Sequence, residues 1–128
     1  MPITFTVSAE DNLIRTVAVG KIRFDDIVSY VKEQMSHPDI RPGMHELVDM
    51  REATLDLSYD KMRQLVESIE PFNEQVGEAR CALVSNRDIS FGFARMYEMM
   101  AEQTGVETRA FREIDPALEW LGITPAAD

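Results

Sequence analysis

Apolar and hydroxyl residues alternate from the start of the chain: Ile3, Phe5 and Val7 against Thr4, Thr6 and Ser8. That period of two predicts a strand with one polar face. The turn cluster Ala9-Glu10-Asp11-Asn12 and a second apolar run, Leu13 to Val19 ending at Gly20, complete an antiparallel hairpin. The period then changes. Phe24, Val28, Val31 and Met35 recur at helical spacing with Ile27 beside them, and Asp25 and Asp26 favour the positive end of the helix dipole. Pro38 and Arg41-Pro42-Gly43 stop this helix.

Met44 to Arg51 reads as a third strand, and Ser58 as the N-cap of a helix carrying Met62, Leu65, Val66 and Ile69. Pro71 is expected to end or kink that helix before Val76. Arg80 to Ser85 is a short buried strand, and Asn86-Arg87-Asp88 offers cap chemistry for a helix from about Ile89 to Gln103, with Gly105 past its end. Val106 to Arg112 is the last strand. Asp115 and Pro116 suit the N-cap and first position of a short helix holding Leu118, Trp120 and Leu121.

The order β-β-α-β-α-β-α-β-α predicts one α/β domain over residues 1–128: an N-terminal hairpin, then a β-α superhelix. Its five-stranded sheet is mixed and mostly parallel, with right-handed crossovers. A parallel strand covered on both faces should be apolar on both. Asp49 and Arg51 share one face of their strand, and Glu107, Arg109 and Phe111 one face of theirs. Helices are therefore expected mostly on one side of the sheet, with the other partly wet.

Charge narrows the function classes. The chain carries 23 acidic and 13 basic residues, a formal net charge of −10, which would repel a phosphate backbone or an anionic membrane surface. The basic residues are scattered, so no nucleic-acid partner is expected. No apolar run is long enough for a membrane span. The N-terminus lacks the basic and apolar regions of a signal peptide, so a cytoplasmic location is expected by elimination. Cys81 is the single cysteine; in Cys81-Ala82-Leu83-Val84 its ordinary reading is a small buried hydrophobe.

The element order, together with Arg41-Pro42-Gly43-Met44, Glu46-Leu47-Val48-Asp49-Met50-Arg51 and Phe91-Gly92-Phe93-Ala94-Arg95-Met96-Tyr97-Glu98, resembles the SpoIIAA-like (STAS/SEC14-type) family of small bacterial proteins. The resemblance spans essentially the whole chain. It implies the β-α superhelical fold of anti-sigma-factor antagonists. In those antagonists a strand ends in Asp-Ser-Ser-Gly, whose serine is phosphorylated to control partner binding. Here the stretch is Asp56-Leu57-Ser58-Tyr59, where Asp56 and Ser58 match and Tyr59 replaces the glycine.

Several residues are candidate partner or ligand contacts. Ser58 combines an ordinary N-cap role with the phosphorylation that the resemblance suggests. Asp49 and Arg51 fall near the carboxyl end of a parallel strand, where ligand crevices form in open α/β sheets. Asn86 and Arg87 fall at the end of the next strand, beside a helix N-terminus, and Arg112 at the end of the last. The plain alternative is a structural Asp–Arg pair and a cap. Arg95 and Tyr97 lie in the most family-like stretch, where Phe93, Met96, Tyr97 and Met100 form a stripe that reads first as core.

His37, Asp39, His45 and Glu46 could make a metal set on paper but lack ligand spacing, so neither metal nor cofactor is expected. There is no Gly-x-Ser-x-Gly elbow and no glycine-rich phosphate loop. The leading expectation is a non-enzymatic regulatory module that binds a protein partner and forms a homo-dimer. The rival is a small-ligand or lipid-binding module, suggested by the SEC14-type side of the resemblance and by eight adaptable methionines. An enzyme of unrecognised type ranks third.

Overall fold

A computed structural model of the chain describes residues 2–55, 57–102 and 105–123. Its elements run β1 (Ile3–Ser8), β2 (Leu13–Ile22), α1 (Phe24–Ser36), β3 (His45–Leu55), α2 (Tyr59–Val76), β4 (Ala79–Val84), α3 (Asp88–Met100), β5 (Val106–Phe111) and α4 (Ile114–Leu121). The strands lie in one sheet in chain order, β1-β2-β3-β4-β5. β1 pairs antiparallel with β2, and the other neighbours are parallel. The expected order of elements and the mixed sheet are both present.

Alternation along each strand divides the sheet into two faces. Ile3, Ala18, Met50 and Leu83 point one way, into a core shared with α1 and α3. α2 packs on α1 and α3 through Met62, Leu65, Ile69 and Phe72, closing that side. Leu13, Leu47, Ala82 and Val84 point the other way and are covered by α4 through Ala117, Leu118 and Leu121. Beyond the reach of α4 this second face is open: Val17 and Val19 on β2 are 42% and 54% exposed. Three helices thus cover one face, and one short helix covers part of the other.

The structure departs from the sequence reading at five places, the first being β3, which runs on past Arg51 to Leu55. α2 runs through Pro71 to Val76. Proline removes the hydrogen bond to Glu67, whose residue is exposed, while the following turn is held by buried Phe72 and Asn73. α1 buries Gln34 and leaves Met35 47% exposed, the reverse of the apolar pattern. α3 ends at Met100, its N-cap Arg87 makes no side-chain cap bond, and Gln103 lies outside the described residues. α4 begins after Glu113, so Asp115 and Pro116 fall inside its first turn.

At the end of α2 the chain reverses through Gly77, at φ 75° and ψ −145°, a backbone region nearly closed to other residues. Gly77→Ala is expected to cost about 1–3 kcal/mol by the strain of that conformation, as read from denaturant unfolding.

Candidate functional site

The carboxyl ends of the parallel strands form one rim. Arg51, Asn86 and Arg112 line an open depression there with Glu113, Ile114 and Asp115. Asp49 stands beside it and holds Arg51 in a two-pronged pair, Nε to Oδ1 at 3.0 Å and Nη2 to Oδ2 at 2.9 Å. Arg51 donates to Asp49 and holds its carboxyl below the usual range. Arg112 pairs with Asp88 at 2.8 Å and stacks over Phe91. Both guanidiniums are therefore partnered within the chain.

The other candidates are placed elsewhere. Arg87 turns back to β3, donating to Thr54 Oγ1 at 3.0 Å and the Ala53 carbonyl at 3.4 Å. Arg95 is exposed and pairs with Glu98 at 2.6 Å, whose other oxygen accepts the Ala110 N–H. Ser58 caps α2, its Oγ accepting the Lys61 N–H at 3.2 Å. Ser58→Ala should therefore lower stability by about 1 kcal/mol in urea denaturation; no change would mean the cap is idle. Asp56, its partner in the family motif, lies outside the described residues. His37 packs edge-on to Phe5, and His45 Nδ1 accepts the Arg80 N–H at 2.9 Å, so the two histidines are engaged in packing and a backbone bond. Burial and the nearby Arg80 charge lower the His45 pKa.

Tyr97 leads to a different place. Between the sheet and α1, α2 and α3 lies a partly open cavity of about 140 Å³. The sheet forms its floor, α1 and α3 its sides, and α2 its roof. Most of its lining is aliphatic or aromatic, with polar residues among it: Thr16, Gln34, Glu46, Asn73, Cys81, Tyr97, Thr108 and Arg80. A largely apolar pocket with a few convergent polar groups and shifted acidities is the usual form of a small-molecule site.

Glu46 is the centre of this cluster. On β3 the alternation Glu46-Val48-Met50 directs it to the helix-covered face. Its Oε2 accepts from Thr16 Oγ1 at 2.7 Å and from Gln34 Nε2 at 2.9 Å. Gln34 Nε2 also donates to the Tyr30 hydroxyl at 2.9 Å, and Tyr30 meets Thr16 at 3.2 Å. With Glu46 ionised the ring closes in one way. Thr16 has one proton, given to Glu46, so Tyr30 donates to Thr16 and accepts from Gln34. Enclosure of the carboxyl by protein raises its pKa to about 7, the Thr16 bond offsetting part of the rise.

Cys81 lies opposite Glu46 in the β3–β4 register. Burial first, and the Glu46 charge second, push its thiol well above the ordinary value. Tyr97 is likewise raised by burial, then by Cys81, against a hydrogen bond with Asn73. Each is enclosed by protein, yet each keeps surface open to a small probe. All three line the cavity. The thiol is a neutral packing group, as the apolar run around it suggests.

Sequence reasoning reached Tyr97 but passed over Glu46, which it weighed only as a paper metal ligand. A signal was present: a carboxylate on the same strand face as Val48 and Met50, in a strand expected to be covered by helices. Gln34 gave no such signal, since its partner is twelve residues away on another element.

No family model matches the sequence, and no curated protein matches it. Among solved structures the chain is similar to an uncharacterized DUF3478-family protein from Shewanella loihica PV-4, which has a SpoIIAA-like fold. The two share 21% identity with a TM-score of 0.59, over 93% of this chain and 91% of that one. With the strand order and helix placement above, this shows that the chain has a SpoIIAA-like α/β fold. No helix among the described residues is long and apolar enough to cross a membrane.

Proposed function

We propose that this chain is a non-enzymatic module that binds a small, mostly apolar molecule in the cavity between the sheet and α1–α3. The observation that carries this reading is the cavity itself. Its volume of about 140 Å³ is close to that of an apolar protein cavity known to accept benzene, roughly 150 Å³. A single enclosed polar cluster would orient a guest there, the role that a few placed polar groups play in small-molecule sites.

A blocking variant tests it. Val48 lies half-buried on the cavity floor. Val48→Phe should fill the space and weaken binding of a small aromatic guest, measured by titration calorimetry, at least about tenfold while leaving the fold intact. Equal affinity in both proteins would sink the cavity as the binding site.

A second reading draws on the rim. The depression lined by Arg51, Asn86 and Arg112 collects side chains from β3 and from the ends of β4 and β5 and suits contact with a protein partner. On α3, Ile89 and Met99 are 73% and 67% exposed and offer an apolar surface for a homo-dimer. Met99→Glu should shift the chain from dimer to monomer in size-exclusion chromatography with light scattering. Two samples that elute alike as monomers would remove that surface from consideration.

A further inference from the structure

We infer that the cavity selects a neutral guest whose polar end accepts a hydrogen bond from Glu46, such as a ketone, aldehyde, ester or alcohol, and rejects carboxylates. This rests on the reading of the cavity as a ligand site and names the class of ligand.

The warrant is a count of protons and lone pairs. Both hydrogen bonds to Glu46 end on Oε2, from Thr16 and from Gln34. Two donors fill that oxygen's in-plane acceptor sites. Oε1 makes no bond to a described residue. Yet no enclosed side-chain oxygen or nitrogen among the described residues lacks a partner, so Oε1 keeps accessible surface. Glu46 is surrounded by protein and lines the cavity, so that surface faces the cavity. When the carboxyl is neutral and Thr16 still donates to Oε2, the proton lies on Oε1, from which it points at a guest. Glu46 then acts as a donor.

The neighbours do not reverse this polarity. From β2 comes Thr16, from α1 Tyr30 and Gln34, from α2 Asn73, from β4 Cys81, from α3 Tyr97 and from β5 Thr108. The titratable ones, Cys81 and Tyr97, are held protonated by burial well above neutral pH. Arg80 also contributes to the lining, but its guanidinium is committed to the Trp120 carbonyl at 2.6 Å and to Glu107 at 3.3 Å. An anionic guest would thus meet a low-dielectric pocket with no free cation among these neighbours and would lose its hydration without replacement. Ionisation of Glu46 would remove the donor and place a charge beside the guest's acceptor. Binding should weaken as the pH rises through about 7.

The test uses three probes of similar size on the full chain at pH 6: acetophenone, toluene and benzoate, by titration calorimetry. Acetophenone should bind about 3- to 10-fold more tightly than toluene, the worth of one neutral hydrogen bond, and benzoate at least about 100-fold more weakly than acetophenone. Acetophenone should also lose about 3- to 10-fold in affinity between pH 6 and pH 8. Glu46→Gln separates donor from charge. Its amide oxygen can accept from Thr16 and Gln34 while its NH2 faces the cavity, so acetophenone binding should persist and become flat with pH. Toluene equal to acetophenone, benzoate as tight as either, or a pH dependence unchanged in the glutamine variant would each overturn the assignment while leaving the cavity as a ligand site. Failure of all three probes to bind would overturn the ligand-site reading and this assignment with it.

Discussion

Between pH 4.5 and pH 8, Glu46→Gln should gain on the parent chain by about 3 kcal/mol in unfolding free energy. The unfolded chain releases the Glu46 proton near 4.5, the folded chain near 7. Inside that window the folded state binds more protons than the unfolded state, so stability falls as pH rises, by about 1.4 kcal/mol per pH unit. Above the window both states are ionised and the loss is complete. Below it both are protonated and the loss vanishes. Glutamine stays neutral throughout and can still accept from Thr16 and Gln34, so it escapes the cost. Other groups do not imitate the effect. His45, with its pKa lowered, loses stability as pH falls through its window, the opposite slope, and is present in both chains. Asp49, held below 3.8, gives stability that is fully present above that value and so is constant here. Urea denaturation at pH 5, 6, 7 and 8 measures the difference. A gap independent of pH would mean that Glu46 is not desolvated and that its place in the cavity is wrong.

Much of the fold was legible because alternation and helical spacing are local. Ile3, Phe5 and Val7 against Thr4, Thr6 and Ser8 define β1 without reference to anything else, and β1 pairs with β2 from Ile3↔Ala18 to Ser8↔Leu13. The rim was legible for a topological reason. Strands joined by crossovers run parallel, so Arg51, Asn86 and Arg112 reach the same end of the sheet whatever the details of packing.

What was not legible depends on contacts between distant segments. Pro71 weakens a helix locally, but burial of Ile69, Phe72 and Asn73 against neighbouring elements carries α2 through it. Local propensity lost to tertiary packing. Gln34 reads as a solvent-facing residue until Glu46, on β3, supplies its acceptor. The phase of α1 then follows: with Gln34 inward, Met35 turns out. The cavity itself is a shape left between the sheet and three helices, and no pattern in one dimension describes it. Only Glu46, a charge on the core face of a strand, marked the place in the sequence.

The two sites should also separate energetically, and α4 provides the means. Leu118 is 6% exposed on the face of the sheet opposite the cavity, packed with Leu13, Leu47, Ala82 and Val84. Leu118→Ala should cost about 2–5 kcal/mol, as cavity-forming truncations of buried leucine do. A helix of eight residues has little stability of its own, so α4 stays in place by what it buries. Besides Leu118 it is held by buried Ala117 and Leu121 and by Trp120, which lies beneath Arg80 and Arg109 at 5.1 and 5.8 Å, with its carbonyl bonded to Arg80. Loosening α4 disturbs Glu113, Ile114 and Asp115, which form one wall of the rim depression, and meets the cavity lining at Arg80, which donates to the Trp120 carbonyl. The variant should thus show a lower urea midpoint and altered amide shifts around Arg51 and Arg112. Under conditions where it remains folded, it should bind a small aromatic guest with the parent's affinity. A destabilisation below about 1 kcal/mol would show that α4 contributes little to the fold. A parallel loss of guest binding would show that the two faces of the sheet are coupled through the strands rather than independent.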